Sequence, residues 1–242
     1  MSNYTLIIGA SSDIGLDLIN NMIDDSIILA HYNSSGKTLK ALAEKHPNTI
    51  IPIQANLASE EEISSLIKAI ETQYGTPKTI VHLAAPRFEN IRFKDIDWPH
   101  FQKEIDISLK SIILILSHFL PLLAKQKQGK VVIMLSSVVM NIPPKALTQY
   151  TTVKYALLGL VKSLASEYAT KNIQINALSP SMVDTKFLDD INEKIVELSA
   201  YNHPLKRNAQ VNDITPVIKM LMSKGSDFMN GINIPITGGS IF

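Results

Sequence analysis

Seven short runs rich in β-branched and apolar residues recur along the chain with helical patterns between them: Thr5 to Ile8, Ser26 to Ala30, Ile50 to Gln54, Thr79 to Leu83, Lys130 to Leu135, Ile173 to Ala177 and Ile232 to Ile236. A strand can reach a parallel neighbour only through a crossover, usually a helix, and strands buried on both faces read as near-continuous apolar runs. The alternation therefore predicts repeated βαβ units. Right-handed crossovers make of them a Rossmann-like α/β fold, a doubly wound parallel sheet of about seven strands with helices on both faces. The 242 residues hold no internal repeat, low-complexity tract or linker-like stretch, so one domain over 1–242 is expected.

Several helices are legible. Ser59 followed by Glu60, Glu61 and Glu62 places an N-cap and three acids before Ile63, Leu66, Ile67 and Ile70, whose spacing defines one apolar face. Val153, Ala156, Leu157, Leu160, Leu164 and Tyr168 again repeat at helical spacing, which predicts a long amphipathic helix over Tyr150 to Tyr168. The apolar stretch Ser111 to Ala124 is broken by Ser117, His118 and Pro121 and falls short of the roughly 20 residues that cross a bilayer. It reads as a buried helix.

Composition narrows the chemistry. There is no cysteine, which removes disulfides, thiolate nucleophiles and cysteine-ligated zinc. A net charge of +1 supplies no basic field for nucleic acid or anionic membrane, so a small molecule is the expected partner. Met1, Ser2 and Asn3 lead straight into the first strand without a secretory signal, and a cytoplasmic location is expected.

Three long excursions, Pro86 to Pro99, Met140 to Gln149 and Ser181 to Pro204, each follow a predicted strand. In open α/β sheets the ligand crevice lies beyond the carboxyl ends of the strands, so these segments should shape a pocket. The first strand ends in Gly9-Ala10-Ser11-Ser12-Asp13-Ile14-Gly15 and runs into the helical pattern Leu16, Leu18, Ile19, Met22, Ile23. Glycine permits the tight turn and the close helix approach, and the helix N-terminus offers free N–H groups to a pyrophosphate. A strand-to-helix turn that binds nothing is the bland alternative. After the second strand, His31-Tyr32-Asn33-Ser34-Ser35-Gly36-Lys37 holds no carboxylate to bond ribose hydroxyls or repel a 2′-phosphate, which favours NADP(H) over NAD(H), with Asn33 and Ser34 nearest the phosphate. The same side chains could simply face water.

Tyr150 and Lys154 stand four residues apart on one predicted helix and share a face. A phenol with an ordinary pKa of about 10 works as an acid or base near neutrality only if its phenolate is stabilised, and an ammonium one turn away does that. Such a pair is common on helix surfaces. Here it follows by thirteen residues Ser137, at the end of Val131-Val132-Ile133-Met134-Leu135-Ser136, where a hydroxyl could orient a carbonyl.

On these residues the chain resembles the short-chain dehydrogenase/reductase superfamily in its compact form, over essentially its whole length, and it is similar to 3-oxoacyl-[acyl-carrier-protein] reductase-like members. The 9–15 segment matches the family's nucleotide loop; Ser137, Tyr150 and Lys154 match its catalytic serine, tyrosine and lysine. Asn176 to Pro180 with Thr185, and Thr237-Gly238-Gly239, resemble its nicotinamide-side and C-terminal segments. The resemblance implies hydride transfer between nicotinamide and a carbonyl or secondary alcohol, as in a carbonyl reductase, with Tyr150 as general acid/base. It further implies that Gly9, Ser11, Ser12, Asp13, Ile14 and Gly15 cradle the cofactor and that Asn56 and Leu57 flank its adenine. Ala84 and Ala85 would line it, Pro180, Val183 and Thr185 would reach the nicotinamide, Tyr150 and Lys154 would hold it, and residues 184–205 would form a substrate lid.

Four positions depart from the family. Asp13 replaces a glycine and is expected to cap the following helix. His82-Leu83-Ala84-Ala85 replaces Asn-Asn-Ala-Gly, and Ser181 replaces a glycine. Ser108 replaces the asparagine that holds a proton-relay water and is counted with the catalytic set. Ser108 also supports the alternative of a dinucleotide-binding protein with weak or no catalysis. The lid and the Met140-Asn141-Ile142-Pro143-Pro144 loop suggest a moderately hydrophobic carbonyl substrate. The resemblance also admits a 3-oxoacyl group on a carrier protein, for which Lys171 could serve at the pocket mouth, with Gln128 where a second basic residue would stand. A homotetramer or homodimer through the helices at 98–123 and 150–168 is implied too, with Ile112, Ile113, Leu116 and Phe119 as candidate interface side chains.

Overall fold

A computed structural model describes residues 4–23 and 26–241. Met1, Ser2 and Asn3, part of the stretch read for a missing signal, lie outside them. The seven strands are β1 (Tyr4–Ile8), β2 (Ile27–Tyr32), β3 (Ile50–Gln54), β4 (Thr79–His82), β5 (Gly129–Met134), β6 (Ile173–Pro180) and β7 (Asn233–Ile236). They form one wholly parallel sheet in the order β3-β2-β1-β4-β5-β6-β7, which reverses direction between β1 and β4.

The helices are α1 (Asp13–Asn20), α2 (Lys37–Lys45), α3 (Glu60–Tyr74), α4 (Trp98–Glu104), α5 (Ser111–Gln126), α6 (Thr148–Tyr168), α7 (Glu193–Asn202) and α8 (Val211–Met222). Successive strand residues point to opposite faces, so Leu6 and Ile8 pack with α3, α5 and α6 while Ile7 packs with α1, α2 and α8. The result is a three-layer sandwich with a core on each side of the sheet. Ser59 caps α3 by accepting from the Glu62 N–H at 3.2 Å, and Ile63, Leu66, Ile67 and Ile70 are all buried.

Two strands run past their expected ends because a neighbour continues the ladder. β2 includes His31 and Tyr32, which register with Ile53 and Gln54, and β6 runs to Pro180, opposite Ile236. In α6 the buried row is Val153, Leu157, Val161 and Ala165; Ala156 is exposed. The expected stripe followed large side chains, whereas packing on the sheet selects a strict fourth-residue row.

α4 and α5 are one continuous helix, joined by a π-helical turn at Ile105–Lys110. The Trp98–Gln126 span is long and apolar enough to cross a membrane, with a mean hydropathy of 1.9 over its richest window. Its apolar row, Ile112, Ile115, Leu116, Phe119, Leu120 and Leu123, belongs to the core. This corrects the interface expectation: Ile112, Leu116 and Phe119 are fully enclosed within the chain, and only Ile113 of the four is exposed.

Candidate active site

At the point where the strand order reverses, the turn after β1 meets the turn after β4. Gly9 has φ +84°, and a Cβ there would stand 2.7 Å from the Ala84 nitrogen; at Gly15 it would stand 2.6 Å from the Ala10 carbonyl oxygen. Both approaches exclude a side chain. Ser12 caps α1, its hydroxyl accepting from the Gly15 N–H at 3.1 Å and donating to the Gly9 carbonyl at 2.8 Å. The cap is therefore Ser12 and not Asp13, because the extended backbone at Ser12 turns its hydroxyl back onto the first helical turn. Asp13 instead accepts the backbone N–H of Lys186 at 2.7 Å, tying the start of the lid to the glycine turn. His31 fixes the same turn from beneath: it accepts from the Gly9 N–H at 3.1 Å through Nδ1 and reaches the Ala55 carbonyl at 3.0 Å through Nε2. Burial holds its pKa below the usual imidazole range.

A groove edged by glycine, small residues and a helix N-terminus fits a dinucleotide pyrophosphate. Ser11 and Ile14 lie within this turn. Asn33, Ser34 and Ser35 are exposed after β2, and Lys37, also exposed, opens α2. Asn56 is half-buried at the end of β3, where its backbone N–H donates to Glu62 at 2.7 Å; the Leu57 side chain is committed to the core, leaving only its backbone to line a groove. Ala84 and Ala85 follow β4, and Pro180 closes β6. Val183 is buried and bridges Ala209, and the Thr185 hydroxyl donates to the Val183 carbonyl at 3.3 Å.

The lid is pinned at both ends, by Asp13 to Lys186 and by the His203 ring to the Thr237 carbonyl at 2.9 Å. Between them α7 buries none of its side chains, and Ile195, Leu198 and Tyr201 are exposed, as are Phe187 before it and Leu205 after it. Across the opening, Ile142 is also exposed. Phe88, from the segment after β4, packs edge-on to Tyr150 at 5.3 Å and to Phe187 at 5.6 Å.

Tyr150 and Lys154 share one face of α6, with the Lys154 Nζ 5.4 Å from the Tyr150 ring centroid and donating to the Met134 carbonyl at 3.0 Å. The Ser136 hydroxyl, which accepts the Val138 N–H at 3.4 Å, also acts on the Tyr150 phenol. Ser137, the expected serine, follows it and opens a 3-10 turn at Ser137–Val139. Ser136 is still extended (φ −162°, ψ 156°), the chain turns immediately after it, and both serines are half-buried.

Burial pushes the Tyr150 phenol up to about 12, against the action of the Ser136 hydroxyl, and the Glu104 charge raises it further. Burial brings Lys154 down to about 8, opposed by Glu104. The expected lowering of the phenol by the lysine is thus absent from the protein alone. At neutral pH the tyrosine is a protonated donor.

Sequence reasoning missed Glu104, although it lies four residues before Ser108 and so on the same helical face. Ser108 is fully buried, its Oγ donates to Glu104 Oε1 at 3.0 Å, and its carbonyl pairs with His82 Nε2 at 2.9 Å. Its hydroxyl is therefore committed. Lys171 and Gln128 precede β6 and β5, so they sit at the amino ends of the strands, where Gln128 lines a separate cavity of about 420 Å³. Within one chain, neither stands at the mouth of a pocket built at the carboxyl ends.

A doubly wound parallel sheet, a glycine turn opening onto a helix, and a half-buried tyrosine with a buried lysine and serine hydroxyls beyond the strand ends define a nucleotide-binding oxidoreductase. Residues 23–240 match the family model described as enoyl-(acyl carrier protein) reductase, and the chain belongs to that family of short-chain dehydrogenase/reductase enzymes. It is 28% identical to the 3-oxoacyl-[acyl-carrier-protein] reductase FabG of Staphylococcus aureus (strain Mu50 / ATCC 700699), covering 99% of this chain and 98% of the relative. Among solved structures its fold is similar to ElxO with NADP bound, at TM-score 0.88 and 22% identity over 99% of this chain and 98% of the other. It is also similar to levodione reductase, at TM-score 0.86 and 23% identity over 98% and 96%.

Proposed function

We propose that the chain is an NADPH-dependent carbonyl reductase in which Tyr150 donates the proton that the substrate oxygen receives. The observation that carries this reading is the half-buried Tyr150, its phenol acted on by the Ser136 hydroxyl, with Lys154 one turn along α6, at the carboxyl ends of strands whose first turn is a glycine cradle. The bound dinucleotide supplies the hydride. One of the two serines after β5, Ser137 by its match to the family or Ser136 by its action on the phenol, polarises the carbonyl oxygen and holds it beside the phenol, and Lys154, its ammonium already inside the site, orients the cofactor ribose. A phenol held near 12 is fully protonated at neutral pH, which suits the reductive direction.

The absence of a carboxylate after β2 and the exposed Asn33, Ser34 and Lys37 support NADP(H) over NAD(H). Phe88 against Tyr150, with Phe187, Leu198, Tyr201 and Ile142 around the opening, supports a substrate whose carbonyl carries an apolar flank. The relationship to the acyl-carrier-protein reductase adds 3-oxoacyl thioesters to the candidates. The reading includes a cytoplasmic homodimer or homotetramer, with no nucleic acid or membrane as partner. Exposed Trp98, Ile113 and Tyr155 on α4, α5 and α6 are the surface it would use.

The test is consumption of NADPH, and separately NADH, against ketones, diketones and 3-oxoacyl thioesters. Turnover that falls at least about 10³-fold in Tyr150→Phe and prefers NADPH is expected; turnover that survives the substitution sinks the assignment of the proton donor. The second reading, a dinucleotide-binding protein with little catalysis, is favoured by the commitment of Ser108 to Glu104. It predicts cofactor binding without turnover across the panel, and turnover gained in Ser108→Asn.

A further inference from the structure

The acid behind the tyrosine and lysine is an unusual group to bury. Glu104 is 5% exposed at the end of α4, and a buried carboxylate is costly unless it is both paired and hydrogen-bonded. Here it is both. Its Oε1 accepts the Ser108 hydroxyl at 3.0 Å, and Lys154, itself 4% exposed, is the cation whose field acts on it. The π-helical turn that follows Glu104 places Ser108 so that its hydroxyl points back to the carboxylate while its carbonyl meets the His82 ring. Facing Glu104 are Ser108 from its own helix, Lys154 and Tyr150 from α6, Glu89 from the segment after β4, and, behind Ser108, His82 of β4. His82 is kept neutral by burial.

We propose that Glu104 is a positioning residue: the buried counter-ion that keeps the Lys154 ammonium charged inside the site and so sets the upper pH limit at which the enzyme works. The proposal rests on the roles given above to Tyr150 and Lys154. An ammonium stripped of water loses its proton easily, and Lys154 already stands at about 8 with Glu104 in place. Without the carboxylate, burial acts unopposed and the lysine is neutral at physiological pH. The same carboxylate repels a phenolate on Tyr150 and so keeps that proton available for donation. Ser108 then has a task that needs no amide. It orients the acid.

The experiment is an NMR titration of the protein labelled with [ε-13C]lysine, the Lys154 signal being the one missing from Lys154→Met. The midpoint is expected near 8 in the parent, lower by about one pH unit or more in Glu104→Gln, and close to the parent in Glu104→Asp, which keeps the charge. In parallel, the high-pH limb of kcat/KM should move down with it, so that the parent-to-Gln ratio grows about tenfold between pH 6 and pH 8.5. An unchanged lysine midpoint in Glu104→Gln overturns the proposal, as does a rate loss that is uniform across pH. Should Glu104→Gln fail to fold, Ser108→Ala removes the donor that orients the carboxylate; a smaller downward shift is expected, and no shift overturns the idea. The lysine titration needs no turnover. A failure of the carbonyl-reductase reading, seen as activity surviving in Tyr150→Phe, is therefore distinguishable from a failure of this one.

Discussion

Two adjacent hydroxyls show how finely the site is drawn at the residue scale. Ser136 acts on the Tyr150 phenol, while Ser137, next along the same strand end, stands thirteen residues before Tyr150, where the family's catalytic serine is expected. A preorganised donor to a developing oxyanion is worth about 10²–10³ in rate. Ser136→Ala should lower kcat/KM by that amount and Ser137→Ala by less than about threefold, read from steady-state kinetics with one substrate; the reverse order would return the role to Ser137. Glu104 makes the complementary point, since a charged residue in a helix normally signals the solvent face. Only its enclosure by α6 reveals it as part of the site.

Among the elements, α1 and the α4–α5 helix do the positioning. The N-terminus of α1 is shaped by Ser12 and faces the groove with its N–H groups, while Asp13 in its first turn is drawn aside to Lys186. A carboxylate near a pyrophosphate site opposes binding by about 0.3–1 kcal/mol. Asp13→Asn should tighten NADPH binding by about two- to fivefold in a fluorescence titration, because it removes the charge while its amide oxygen can still accept the Lys186 N–H. Weaker binding would mean that the Asp13–Lys186 bond organises the groove more than the charge harms it. In the long helix, the π-helical turn frees the Ser108 carbonyl for His82, a device frequent at functional sites and invisible to periodicity.

For the whole molecule, acid sensitivity should be set in part by two buried histidines. Burial lowers His82 to about 3, and His31 is lowered too. Between about 6.5 and 3 the unfolded chain binds a proton at His82 that the folded chain refuses, so stability present above pH 6.5 is lost as pH falls, at about 1.4 kcal/mol per unit for one group. In His82→Asn, urea unfolding between pH 6 and 4 should show a slope shallower by about that amount; an unaltered slope would mean that His82 is protonated in the fold.

The sequence by itself determined the layered architecture, the single parallel sheet, the glycine turn and the Tyr150–Lys154 pair. Each is a local matter: strand and helix periods, the φ range open to glycine, and a fixed four-residue helical spacing all act over a few neighbours. Tertiary structure alone decided that Ser12 rather than Asp13 caps α1, that Ile112, Leu116 and Phe119 face inward, and that Lys171 lies at the amino end of its strand. It also decided that Glu104 and His82 are buried together around Ser108. Burial and charge pairing depend on segments far apart in the chain, and the low dielectric that moves Lys154 and Tyr150 from their ordinary pKa values exists only once those segments have closed around them.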